Sequence, residues 1–278
     1  MGKVAFRDSF RSSYFGLLIR STVVVQVRRQ QRLAAARRLV KTDAPVFTCP
    51  VCNYSGPFID HPGAQVGDKP SRRYAACADC GALERHRLQV KVLDEFLPGF
   101  ADRSKSVLHF APESFIGKRL KQVFGKYQTA DLFRRDVNIR ADICALPVPD
   151  ASYDLVYASH VLEHVPDDGK AIAEIYRVLK PGGVAILPVP IYSTDDHPSA
   201  KTVEYGQPKK EEDGHVRAPG LDYFDRYRKV FAQVDVRSSD DFPAGAVDNQ
   251  LYIRPPSAKP GVDFDKLPDF VPVCRKAL

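Results

Sequence analysis

"ADICALPVPDASYDLVYASHVLEHVPDDGKAIAEIYRVLKPGGVAILPVP", residues 141–190, is the stretch that decides the fold. Within it YDLVYAS (153–159) reads as a strand. The helix that follows, DDGKAIAEIYRVL (167–179), has its start marked by Asp167 and Asp168 and its end by KPGG. VAILPVP (184–190) is then a second buried strand. Upstream, SVLHF (106–110) is a short apolar strand, SFIGKRLKQVF (114–124) an amphipathic helix and YQTADL (127–132) a strand that closes on an acid. Downstream, FAQVDVRSS (231–239) and NQLYIRP (249–255) read as the last strand pair, and the chain beyond Pro255 as a Pro-rich tail. Alternating strands and helices of this length predict a parallel, doubly wound α/β sheet with helices on both faces. In such a sheet ligands gather at the carboxyl ends of the strands.

The 278 residues are 44% hydrophobic, enough to bury a real core in one large domain or two smaller ones. The net charge of +7 is not spread evenly. Residues 1–41 hold ten Lys and Arg against a single acid, Asp8, which leaves 31 basic and 33 acidic residues for the rest. Attraction to phosphates or lipid headgroups therefore belongs to this arm, and the neutral body offers no basic track for a nucleic acid. The apolar part of the arm, Tyr14–Val27, is too short to span a bilayer, which needs about 20 residues. Three uses are open to it: packing on the body or on a second subunit, lying on a membrane surface, or touching nucleic acid.

Four of the six cysteines form two Cys-x-x-Cys pairs, Cys49/Cys52 and Cys77/Cys80. Two such turns aim four thiolates at one centre, a closed set that suits structural zinc, with an iron–sulfur cluster as the lesser alternative. The segment between the pairs carries Pro57, Pro62, Gly63, Gly67 and Pro70 and has too many turns to build a core without metal. With no apolar leader before them, these cysteines point to a reducing, cytoplasmic setting. The organisation expected is a basic helical arm (1–43), a four-cysteine zinc module (44–85), a catalytic domain (86–256) and a tail (257–278).

Residues 141–190 resemble the central half of class I S-adenosylmethionine-dependent methyltransferases of the methyltransferase type 11 group, and the likeness extends loosely over about 150 residues. The strand, the HVLEHV turn, the acidic helix start and the RVLKPGG ending stand in that family's order. The resemblance implies a Rossmann-like, seven-stranded domain that binds S-adenosylmethionine. Carried over by position, it implies that Asp131 holds the ribose hydroxyls, that Asp142 and Ile143 lie on the adenine side, and that Ser159 and His160 line the pocket. The family's Asp-x-Gly-x-Gly loop falls on His109, Ala111 and Glu113, so both glycines are replaced. Glycine serves such a loop through positive φ and close backbone approach. HFAPE resembles a variant of this loop in methyltransferase-like proteins fronted by a zinc module, which implies a rebuilt loop with Glu113 facing the cofactor's ammonium.

Methyl transfer to oxygen or nitrogen needs aligned reactants and often a base. His160 and His164 flank Glu163 at i, i+3 and i+4, a spacing that could hold a divalent metal, as in ubiquinone-pathway O-methyltransferases that the turn loosely resembles. The long polar insertion 190–231 is expected over the cofactor, with Asp196, His197, His215 and Arg217 as its chemically able residues. His215 is expected to act as base or to orient the acceptor, and Arg217 to clamp an anion or hydroxyl. The function expected is methylation of a small-molecule or glycan acceptor. An RNA methyltransferase and a non-catalytic binding module are the rivals.

Overall fold

The computed structural model describes residues 22–42, 44–61, 72–100, 102–194, 197–243, 248–252 and 268–278. The chain divides into two compact units, residues 1–91 with 238–269 and residues 92–237 with 270–278. In the first unit, helix α1 (Thr22–Leu39) precedes two short antiparallel ribbons, Phe47–Thr48 with Ser55–Gly56 and Ile59–His61 with Arg72–Ala76. Helix α2 (Glu84–Phe96) starts in this unit, and the division falls within it. The apolar half of the arm before Thr22 lies outside the described residues. No helix among the described residues is long and apolar enough to cross a membrane.

The second unit is built on seven strands: β1 (Ser106–Phe110), β2 (Lys126–Asp131), β3 (Ile139–Arg140), β4 (Tyr153–Ala158), β5 (Leu179–Ile186), β6 (Gln233–Ser238) and β7 (Phe270–Arg275). Their order across the sheet is β6-β7-β5-β4-β1-β2-β3. The run from β5 to β3 is parallel, and β7 is antiparallel to β5, with Val273 opposite Ile186. All five residues of β1 are buried, as expected of a central parallel strand covered on both faces. Helix α3 (Ser114–Val123) buries Ile116, Gly117 and Leu120, while α4 (Asp168–Val178) buries Ala171, Ile172, Ile175 and Val178. These are single stripes of an amphipathic helix. The Asp167 carboxylate accepts the Lys170 N–H at 2.9 Å and caps α4 at the place the sequence marks.

The expected doubly wound seven-stranded sheet is present, with a different last member. Residues 248–252 form a turn, and the seventh strand comes from Phe270–Arg275, in the segment expected to be a tail. Val271, Val273 and Cys274 are buried between β5 and β6, and Pro272, which has no N–H, still accepts from Leu187 N–H at 3.2 Å. KPGG also proves to be the first part of β5 rather than a turn before it, and Ile186 ends that strand. Within the insertion, Val203–Lys209 pairs with His215–Ala218 as an antiparallel hairpin.

Candidate active site

Phe110 of β1 pairs with Ala158 of β4, so Ala111 and Ser159 leave the sheet side by side, about 5 Å apart as neighbouring strands are. Both strands then turn through a non-glycine residue in the left-handed region: Ala111 at φ 43° and His160 at φ 52°. Ala111 thus keeps the backbone conformation for which glycine is normally chosen. Its N–H reaches Ala130 O at 2.9 Å, and Arg134 holds the next carbonyl, that of Pro112, at 3.0 Å. The imidazole of His109 lies beneath the loop, wholly buried, with Tyr127 Oη 3.0 Å from Nδ1 and the Glu113 N–H directed at Nε2 at 3.4 Å. Burial pushes its pKa down to about 4, so the ring is neutral. Since Nε2 accepts, Nδ1 carries the proton and donates to Tyr127. His109 therefore braces the loop from below. Gly117 in α3 permits this, because a Cβ there would stand 2.8 Å from Tyr127 Oη. Glu113 precedes α3 without capping it through its side chain.

At the end of β2, Asp131 is buried, and its Oδ1 accepts the N–H groups of Phe133 and Arg134 at 2.7 and 2.9 Å. No hydrogen bond within the described residues uses Oδ2, which leaves the carboxylate able to accept from a diol. Asp142 is exposed and accepts the Cys144 N–H at 2.9 Å, while Ile143 is buried in the core. Ser159 is buried beside the loop. The braced left-handed loop and the half-engaged acid on the adjacent strand fit S-adenosylmethionine.

Behind Ser159 the turn Leu162–His164 is a single 3₁₀ turn. Glu163 is fully buried, with His160 Nδ1 3.3 Å and His164 Nε2 4.0 Å from its Oε1. The hairpin brings His215 edge-on to His164, ring centroids 4.6 Å apart. Burial alone would raise the Glu163 pKa, but the His160 hydrogen bond and the positive charge the imidazoles can carry outweigh it and bring it to about 2. Burial holds His164 down at about 4 and lowers His215 as well. His215 Nδ1 is 3.0 Å from Tyr192 Oη.

The structure does not offer Arg217 to an anion. Its guanidinium is buried and donates to the carbonyls of Leu162, Val165 and Pro166 at 2.7, 2.6 and 3.1 Å, and to Glu204 at 3.0 Å. It ties the hairpin to the 162–166 turn and so sets His215 against Glu163 and His164. Sequence reasoning assigned it a ligand because nothing local shows that its partners are carbonyls more than fifty positions away. Asp196 and the side chain of His197 lie outside the described residues. Tyr192 and Tyr127, which hold His215 and His109, were not singled out in the sequence, where neither belongs to a motif.

In the first unit Cys49, Cys52, Cys77 and Cys80 converge, all Sγ atoms within 4.8 Å of one another. Two edges of this group, Cys49–Cys80 and Cys52–Cys77, measure 3.8 and 3.7 Å. A tetrahedron of Zn–S bonds about 2.3 Å long has edges of about 3.8 Å, so the set fits zinc. Each knuckle closes with a left-handed residue directly after its second cysteine, Asn53 at φ 61° and Gly81 at φ 80°. Arg87, fully buried, donates to the carbonyls of Ala75, Ala82 and Gln250. From α1, Arg29 pairs with Asp79 at 2.5 Å and Arg32 donates to Asp79 O at 2.7 Å, so two arginines of the basic arm lie on the second knuckle.

The strand order, with a reversed β7 set between β5 and β6, and the loops at the carboxyl ends of β1, β2 and β4 define a class I methyltransferase fold. Residues 106–187 match the family described as a methyltransferase domain. The 27-O-demethylrifamycin SV methyltransferase of Amycolatopsis mediterranei is 30% identical over 154 residues, 54% of this chain and 52% of that protein. A cycloartenol-C-24-methyltransferase of Arabidopsis thaliana is 39% identical over 66 residues, 24% of this chain and 18% of its own. Among solved structures, an S-adenosylmethionine-dependent methyltransferase from Mesorhizobium loti aligns with 69% of this chain and 100% of its own at 18% identity, with a TM-score of 0.46. The chain thus spans about half the length of the rifamycin relative it matches.

Proposed function

We propose that the chain transfers a methyl group from S-adenosylmethionine to an oxygen or nitrogen of a small-molecule or glycan acceptor. The observation that carries this reading is the loop after β1, which holds the left-handed turn at Ala111 without glycine and is braced by His109 and Arg134 beside the half-engaged Asp131. S-adenosylmethionine would supply an electrophilic methyl on a sulfonium. Asp131 would hold the ribose hydroxyls and Glu113 the ammonium of the methionine part. His160, Glu163 and His164, which follow β4 next to that loop, and His215 of the hairpin would orient the acceptor. Small acceptors are favoured because two relatives are named for methylating a rifamycin and a sterol, and because the arm's basic residues Arg29 and Arg32 are engaged by the second cysteine knuckle. The four-cysteine centre is read as structural zinc: four protein ligands leave no coordination position open for chemistry. Reduced thiols of this kind belong to a cytoplasmic setting.

Calorimetry with S-adenosylmethionine and S-adenosylhomocysteine tests the reading. Binding is expected, and Asp131→Ala should weaken it by about 1.5–3 kcal/mol, the range for hydrogen bonds to a charged group. Absence of binding to folded protein would overturn the enzyme and leave the binding-module alternative.

A further inference from the structure

Two imidazoles and a carboxylate meet where the insertion hairpin reaches the turn after β4. Glu163, His164 and His215 each offer a ligand atom, and these atoms lie within 4.8 Å of one another. Glu163 is 0% exposed, and neither of its oxygens has a hydrogen bond of ordinary geometry. A carboxylate so buried is costly without a compensating cation. Arg217, which donates to carbonyls of the same turn, is committed to three of them and to Glu204 and Asp168. The imidazole neighbours of Glu163 stand 3.3 Å (His160 Nδ1) and 4.0 Å (His164 Nε2) from Oε1. Neutral imidazole is the form that ligates metal. The surroundings suit such a role. Tyr192 Oη stands 3.0 Å from Nδ1 of His215. An outer partner of this kind fixes the tautomer and aim of a ligating histidine.

We propose that Glu163, His164 and His215 bind one divalent first-row transition metal ion, distinct from the ion of the four-cysteine centre. Two nitrogens and one oxygen select zinc, manganese, iron or cobalt over magnesium and calcium, which prefer all-oxygen sets. Three protein ligands leave positions for water or for an oxygen of the acceptor. The hairpin and the turn are then joined by a metal as well as by Arg217. Engagement of an acceptor oxygen rests on the methyltransferase reading above. Metal binding does not.

The test uses the full chain with its four-cysteine centre left loaded. Metal content is measured first, and Mn2+ is then titrated by electron paramagnetic resonance, because manganese does not compete for a thiolate site. The expected result is about one equivalent of metal beyond the cysteine-bound ion, as co-purified metal plus Mn2+ taken up. His215→Gln and Glu163→Gln should each weaken Mn2+ by about tenfold or more, while the ion at the cysteines stays. Circular dichroism checks the fold, and His215→Gln, on the hairpin, remains informative if the buried Glu163→Gln fails to fold. No second equivalent in the wild type, or unchanged Mn2+ affinity in folded His215→Gln, overturns the proposal. Calorimetry with S-adenosylhomocysteine on the same samples separates the two readings. Cofactor binding without the second metal sinks only this inference, and metal binding without cofactor sinks only the methyltransferase.

Discussion

Ala111 and His160 close two neighbouring strands in a conformation that costs an L-residue roughly 1–2 kcal/mol each. Strain of this kind gathers at functional sites and persists because its surroundings hold it there. Here the holding groups are His109, Tyr127 and Arg134. Ala111→Gly should therefore stabilise the domain by up to about 1 kcal/mol, the relief being partly offset by the freer unfolded chain, and should leave cofactor affinity within about twofold. Thermal denaturation and calorimetry check this, and a large gain in affinity would mean that the alanine loop is impaired. His109 gives a pH prediction with a definite sign. Its folded pKa of about 4 lies below the ordinary 6.5, so the unfolded chain takes up the proton first. Its contribution is full above pH 6.5 and fades between 6.5 and about 4, by on the order of 3 kcal/mol. NMR should show the His109 ring titrating near 4, and a midpoint near 6.5 would contradict the buried brace. Position alone pointed to His109, Ala111 and Asp131 in the sequence. What position could not convey was direction: His109 supports the loop from inside the protein.

The hairpin Val203–Lys209/His215–Ala218 matters through what it fastens. Arg217→Lys keeps a charge but can serve few of the three carbonyls that the planar guanidinium reaches, so it should destabilise the second unit by about 3 kcal/mol. Urea denaturation reads this directly, and a loss below about 1 kcal/mol would show the turn to be held by other means. Elements whose pattern is local were legible in the sequence: β1 and β4 as apolar runs, and α4 from Asp167 at one end and KPGG near the other. β7 was not, because FVPVCR follows a Pro-rich stretch and itself contains Pro272, and only its neighbours in the sheet make it a strand. The two-residue β3 and the hairpin were missed for the same reason. Their pairing is a property of the partner strands, not of the residues themselves.

At the scale of the molecule, charge and architecture separate. With zinc bound, the four-thiolate centre would carry a net charge of −2, and the first unit sets Arg87 beside these cysteines and Arg29 and Arg32 of α1 across the second knuckle. Burial pulls the Arg87 pKa down, while Glu84 and the thiolates of Cys49, Cys77 and Cys80 pull it up. Stripping the metal should leave that buried cation uncompensated, so a strong chelator is expected to lower one calorimetric transition, assigned to the first unit, and to leave the transition of the seven-stranded sheet in place. A single transition that moves as a whole would show the two units to melt together. The place of β7 has a further consequence, for synthesis. A ribosome makes β6 well before the strand that pairs with it, and residues 239–269 must emerge in between. Throughout that interval the flank of β5 is an unpaired edge and β6 has no neighbour, the condition in which nascent sheets stick to one another. The growing chain is therefore most exposed to aggregation, and most in need of a chaperone, during the translation of residues 239–269.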